Sequence, residues 1–148
     1  MKFLFLLILI SGCLEEGRPL TRREKTVIEC VTSNWPIGCP ENTCSNKVLN
    51  INVVVSSEEQ FRELCQACGP NEKNCPLNYR AWSCFLYRNL YVIHEKAVKN
   101  KIFDLALQHE AAHAASRFTY GTIDISHSNP HIWSVDGVLN YCKSEAEN

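Results

Sequence analysis

Eight cysteines between Cys30 and Cys142 constrain this chain more than any other feature of its sequence. They are Cys30, Cys39, Cys44, Cys65, Cys68, Cys75, Cys84 and Cys142. The chain opens with one lysine, an unbroken apolar run from Phe3 to Ile10, and then small residues. That run is too short to span a bilayer as a helix and has the shape of a secretory signal over residues 1–12. In an exported chain an even set of cysteines reads as a disulfide framework, which staples a domain too small to rely on its apolar core alone. Eight thiols permit about 105 pairings, so the spacing does not assign the bridges. Cys65-Gln-Ala-Cys68 can also be read as half of a zinc ribbon or a redox pair, but an oxidising compartment and the neighbouring cysteines favour bridging.

The chain holds nine cysteines, and the odd one is Cys13. It closes the stretch Ile10-Ser11-Gly12-Cys13, which resembles the lipobox of bacterial lipoproteins. The resemblance implies cleavage before Cys13 and a lipid on its sulfur, anchoring the protein to the membrane of the bacterial envelope. Residues 13–21 then form a lipidated N-terminus and polar tether, and 22–148 a single domain, expected to be monomeric. A net charge of −1 and a pI near 6.5 leave no basic footprint for nucleic acid.

Hydrophobic pattern and turn chemistry predict an α+β domain. Residues 21–35 can form a helix capped by Thr21, with Val27, Ile28 and Val31 on one side. Residues 36–46 form a loop pinned through Cys39 and Cys44, and residues 48–55 are rich in β-branched residues and predict a strand. Ser57, with Gln60 three residues on, signals a helix start. Residues 82–95 predict two short strands turning at Arg88-Asn89. A long helix is expected from about Asn100 to Tyr120, with Gly121 just past its end. On it Phe103, Leu107, Ala111, Ala114 and Phe118 share a core-facing stripe, and His109 and His113 lie on roughly the opposite side. Residues 131–142 supply a last helix or turn, tied back by Cys142.

That long helix carries His109-Glu110-Ala111-Ala112-His113. Histidines four apart lie one turn apart on one helical face, so both can reach a single zinc ion at about 2.0–2.1 Å. The glutamate between them projects beside the metal, where it can take a proton from water activated there. This is the H-E-x-x-H signature of zincin metallopeptidases, and it casts Glu110 as general base. A catalytic zinc needs a third protein ligand and an open position. The candidates are His127, His131, Glu145 and Glu147. Ser116 and Thr119 stand where a metzincin would have glycine and histidine, which excludes that family. Glu145 and Glu147 lie in a polar tail beyond Cys142.

Thirteen residues separate His113 from His127, and the stretch from His127 to Trp133 contains Pro130 and an aromatic residue. The spacing resembles SprT-like zincins, in which the motif helix leads through a loop to a third histidine. The likeness covers about thirty residues. It departs from that family in a serine where glycine is usual, in a tryptophan further from the histidine, and in the exported setting. It implies a zincin-like fold, with a short mixed or antiparallel sheet over the motif helix, and a ligand role for His127. His131 remains the alternative ligand, and His131 or Tyr120 a candidate donor to an oxyanion, with Tyr141 a further one. Asp124 and Asp136 are candidates to orient the ligand imidazoles. His94 reads as structural, and Trp35, Trp82 and Trp133 as core. The expected function is a zinc metallopeptidase acting on protein or peptide substrates. The alternative is a non-catalytic lipoprotein that binds a metal or a protein partner through the same fold.

Overall fold

A computed structural model describes residues 17–86 and 89–147; the signal, Cys13 and Arg88 lie outside the described residues. The fold is mixed α+β. Helix α1 (Arg22–Ser33) begins at a capping box in which Thr21 accepts from the Glu24 amide and Glu24 accepts from the Thr21 amide. A wide turn at Glu41–Ser45 runs into the short helix α2 (Asn46–Leu49). Then come strand β1 (Asn52–Ser56), helix α3 (Glu58–Cys65), strands β2 (Ser83–Leu86) and β3 (Leu90–His94), and helices α4 (Glu95–Lys99), α5 (Phe103–Tyr120), α6 (Pro130–Trp133) and α7 (Val138–Glu147).

The three strands form one sheet in the order β1-β3-β2, with β1 parallel and β2 antiparallel to β3. The outer edge of β1 is met by Arg18, which exchanges two backbone hydrogen bonds with Val53. β2 is the strand at the opposite edge.

Alternation along the strands sorts the core into two layers. Val53, Phe85, Tyr91 and Ile93 pack on the side of α5, with Leu107, Ala111 and Ala114. Val54 and Val92 face the other way, against Phe61 of α3 and Ala67. Because strand side chains alternate, Ser83 shares the α5 side with Phe85, while Cys84 is turned toward α3. His94 closes β3 fully buried: its Nε2 lies 2.7 Å from Glu58 Oε2, and its Nδ1 accepts from the Lys96 amide, so it ties α3 to the start of α4.

The eight cysteines form four disulfides: Cys30–Cys142, Cys39–Cys44, Cys65–Cys84 and Cys68–Cys75. Cys65 and Cys68 have separate partners, so neither the ribbon nor the redox pair forms. The bridges fit an oxidising compartment. No helix among the described residues is long and apolar enough to cross a membrane.

Three local expectations need correction. The strand expected over residues 48–55 starts at Asn52, because the wide turn after Pro40 continues as helix to Leu49 and buries Val48 from the helical side. The long helix expected from Asn100 starts at Phe103, after α4 and a left-handed Lys101 (φ 58°) break the chain's direction. Nor does α5 have a dry face and a wet one. From Ala106 to Ser116 every residue but the half-buried His109 is buried, since α1, α2, α7 and the sheet surround it. Five alanines, at 106, 111, 112, 114 and 115, let that many neighbours approach one helix.

Candidate metal centre

His109 and His113 project from one side of α5, and the loop after it brings His127 back to them. One ring nitrogen or its equivalent from each lies within 4.8 Å of the others, close enough to hold a metal ion. The Nε2 atoms of His109 and His113 are 3.2 Å apart, as are those of His113 and His127. Two nitrogens at about 2.05 Å from a tetrahedral ion would be about 3.3 Å apart. The spacing therefore fits a shared ion.

The protonation states agree. His113 Nδ1–H donates to the Ile123 carbonyl at 2.5 Å, which fixes the tautomer and leaves the Nε2 lone pair toward the cluster. Burial pushes the His109 imidazolium down to about 3, with His113 and His127 adding to the effect. Burial also lowers His113, partly opposed by Ile123. Both rings are neutral at physiological pH, as a metal ligand must be.

Loop geometry brings His127 into place. Gly121 ends α5 in the left-handed region (φ 77°), and Asp124 and His127 adopt it too (φ 51° and 52°). Without glycine at the latter two, that conformation must be held by its surroundings. The holder is Asp124. Its carboxylate accepts from the Ser128 hydroxyl at 2.6 Å, the Ser128 and Asn129 amides at 3.0 and 3.1 Å, and the Trp133 indole N–H at 2.7 Å. Burial alone would raise its pKa, but these donors outweigh it and hold the carboxyl far below the usual range.

The tryptophan so anchored lies over the cluster, with ring centroids 4.3, 4.7 and 5.0 Å from those of His127, His113 and His109. Trp133, read from sequence as core, is thus part of the site. Asp124 makes no hydrogen bond to the imidazoles among those described; it positions them through the loop and the indole, and its charge acts on His113 through space.

Asp124→Asn keeps the shape and loses the charge that gathers four donors. It should weaken metal binding by about 10–100-fold, measured by competition with a chromogenic chelator. Because the folded pKa is depressed, Asp124 contributes stability in full above its unfolded value of about 3.9 and loses it as pH falls below. The variant should therefore show a shallower acid destabilisation than wild type; an unchanged acid limb would remove Asp124 from this role.

Glu110 is 2% exposed and accepts from the Ser83 hydroxyl through Oε1, while its Oε2 is buried without a partner. Burial pushes its carboxyl up to about 8, the Ser83 hydroxyl opposing. A buried polar atom left without a partner costs about 1–3 kcal/mol. An orphaned carboxylate oxygen beside three converging imidazoles fits a site completed by a cation and its water.

Other sequence candidates are elsewhere. His131 is exposed on α6, where its amide donates to Asn129 Oδ1, and it is not in the cluster. Tyr120 is turned away, its ring 6.2 Å from that of Trp35. Tyr141, Asp136, Glu145 and Glu147 are exposed. Two contributors escaped the sequence. Tyr79 lines the cleft beside Glu110 from a loop that carries no motif. Ser83 could have been noticed only as the polar residue alternating with Phe85 in a strand. Compared with protein-family models, with curated proteins and with solved structures, the chain gives no match.

Proposed function

We propose that this protein is a zinc-dependent peptidase of zincin type, exported and held to the bacterial envelope by a lipid on Cys13. The observation that carries the reading is the convergence of three imidazoles beside a buried glutamate, which lies on the helix that carries two of them. Three nitrogen donors and an open fourth position are the ligand set of a hydrolytic zinc, and a structural site would be closed by a fourth ligand. A zinc ion held by His109, His113 and His127 would lower the pKa of a water toward about 7 and polarise a carbonyl.

The chain's own residues do the rest. Glu110 takes a proton at Oε2, held in orientation by Ser83 at Oε1. Burial raises its proton affinity, and a cation held beside it would favour the carboxylate form that accepts the proton and later gives it to a leaving amine. Trp133 covers one side of the imidazoles and leaves His127 exposed on the other. A purely binding site would have no use for Glu110, which is why the catalytic reading is preferred to a metal- or partner-binding lipoprotein.

The decisive experiment is metal content. After reconstitution, wild type and His131→Ala should each carry one zinc per chain by atomic emission, and His127→Ala should carry far less. Reversed results for the two variants would make His131 the third ligand. A wild type without stoichiometric zinc would end the zincin reading.

A further inference from the structure

Residues 17–20 form an arm that docks on the outer edge of β1 and buries Leu20. Arg18 gives its amide to the Val53 carbonyl at 2.9 Å, and its own carbonyl accepts from the Val53 amide at 2.8 Å. Its guanidinium holds both carboxylate oxygens of the buried Glu24 at 2.7 and 2.8 Å, which ties the arm to α1 as well. Gly17 has a φ of 71°, and a Cβ there would stand 2.9 Å from the Val53 carbonyl oxygen and 2.7 Å from the Leu90 side chain. Only glycine lets the backbone turn and lie this close.

Register relates this arm to the metal centre. The arm runs antiparallel to β1, so its Gly17 end is toward Ser56. Ser56 is level with His94, and Ser83 is level with the adjacent Ile93. Ser83 in turn holds Glu110. The Gly17 end of the arm and Glu110 therefore lie at the same end of the sheet, at opposite edges. Across the sheet from the arm to β2, and two residues along, Arg18 is about 16 Å from Ser83.

Cys13 precedes Arg18 by five residues, which span at most about 17 Å whatever their conformation. Resting on the lipid anchor and the peptidase reading above, we infer that the docked arm holds the metal centre within about 40 Å of the bilayer surface. Its substrates are polypeptide segments lying in that layer, such as the membrane-proximal stretches of other anchored proteins. Tethering enzyme and substrate to one membrane raises their effective concentration where the reach matches, and gives nothing where it falls short. A bond carried well outside the layer is not reached.

The test places the lipid-modified protein in vesicles of phosphatidylglycerol and phosphatidylethanolamine. Its comparison is a variant with a Gly/Ser insertion of about twenty residues after Glu16, which adds up to about 70 Å of reach outside the fold. Height is read by energy transfer to labelled headgroups from a dye coupled at Ser134→Cys, an exposed position beside Trp133. The uninserted protein should sit within about 40 Å of the bilayer, and the insertion should raise it. Hydrogen exchange should find the Arg18 and Val53 amides protected. Reporter peptides of one disordered, mixed sequence are joined to lipid through polyproline spacers of about 20 or about 80 Å. Wild type should cleave the near reporter about tenfold or more faster than the far one, and the insertion should remove most of that difference.

Heights as expected, with no reporter cleaved, would uphold the placement and overturn the hydrolytic reading. Equal heights for the two proteins, or fast exchange at Arg18, would overturn the inference and leave the peptidase standing. Equal cleavage of near and far reporters by wild type would do the same. A protein that stays off the vesicles would sink the inference together with the anchor.

Discussion

Glu110→Gln should leave metal content near one zinc per chain while hydrolysis falls by about 10²–10⁴-fold, the loss expected for a general base. The separation is possible because Glu110 is not among the three converging histidines, and because glutamine can keep the hydrogen bond that Ser83 gives to Oε1. A neutral amide in place of the orphaned Oε2 cannot accept a proton, so binding survives and turnover does not. His113→Ala is the complementary case. It removes the central nitrogen, which lies 3.2 Å from each of the other two, and it leaves the Ile123 carbonyl without its donor. Two imidazoles do not hold zinc tightly, so this variant should lose metal and activity together. Zinc lost from Glu110→Gln would mean that the glutamate is a ligand, and activity retained there would place the base elsewhere.

The parts of this site that the sequence made legible are those fixed by local geometry. A helix carries i and i+4 to one side whatever surrounds it, so His109, Glu110 and His113 followed from spacing. Thr21 and Ser57 each accept an amide hydrogen bond three residues on, as their caps require. What the sequence hid depends on contacts between distant segments. The Ser83 hydroxyl reaches Glu110 only because β2 lies at the sheet edge against α5. Trp133 packs on the core as expected, but it also lies over the imidazoles because Asp124 draws its indole N–H across the loop. His127 is favoured over His131 by three left-handed residues, of which only Gly121 announced itself. The burial of α5 on nearly all sides was hidden for a related reason. Alanine is neutral in a pattern of apolar stripes, so a helix made slim by alanine shows little periodicity even when fully surrounded.

The second large effect concerns the frame rather than the chemistry. Cys30 on α1 and Cys142 on α7 join helices that both pack on α5, across a sequence separation of 112 residues. Between them lie the sheet, the motif helix and the loop carrying His127 and Trp133. In the chain-entropy account a loop of that size restricts the unfolded chain by about 5 kcal/mol, whereas the Cys39–Cys44 bridge, with a separation of 5, restricts it by about 2 kcal/mol. Domains are typically stable by about 5–15 kcal/mol, so losing the long bridge removes a large share and losing the short one does not. Paired alanine substitution of Cys30 and Cys142 should therefore lower the melting temperature on the order of 15 °C, and that of Cys39 and Cys44 by less than half as much. Scanning calorimetry of both variants, loaded with zinc and stripped of it, would measure this. Zinc should raise the melting temperature of each, since it binds the folded arrangement of three histidines and not the unfolded chain. Equal losses from the two bridges would show that local packing around the sulfurs, and not the length of chain they close, sets their contribution.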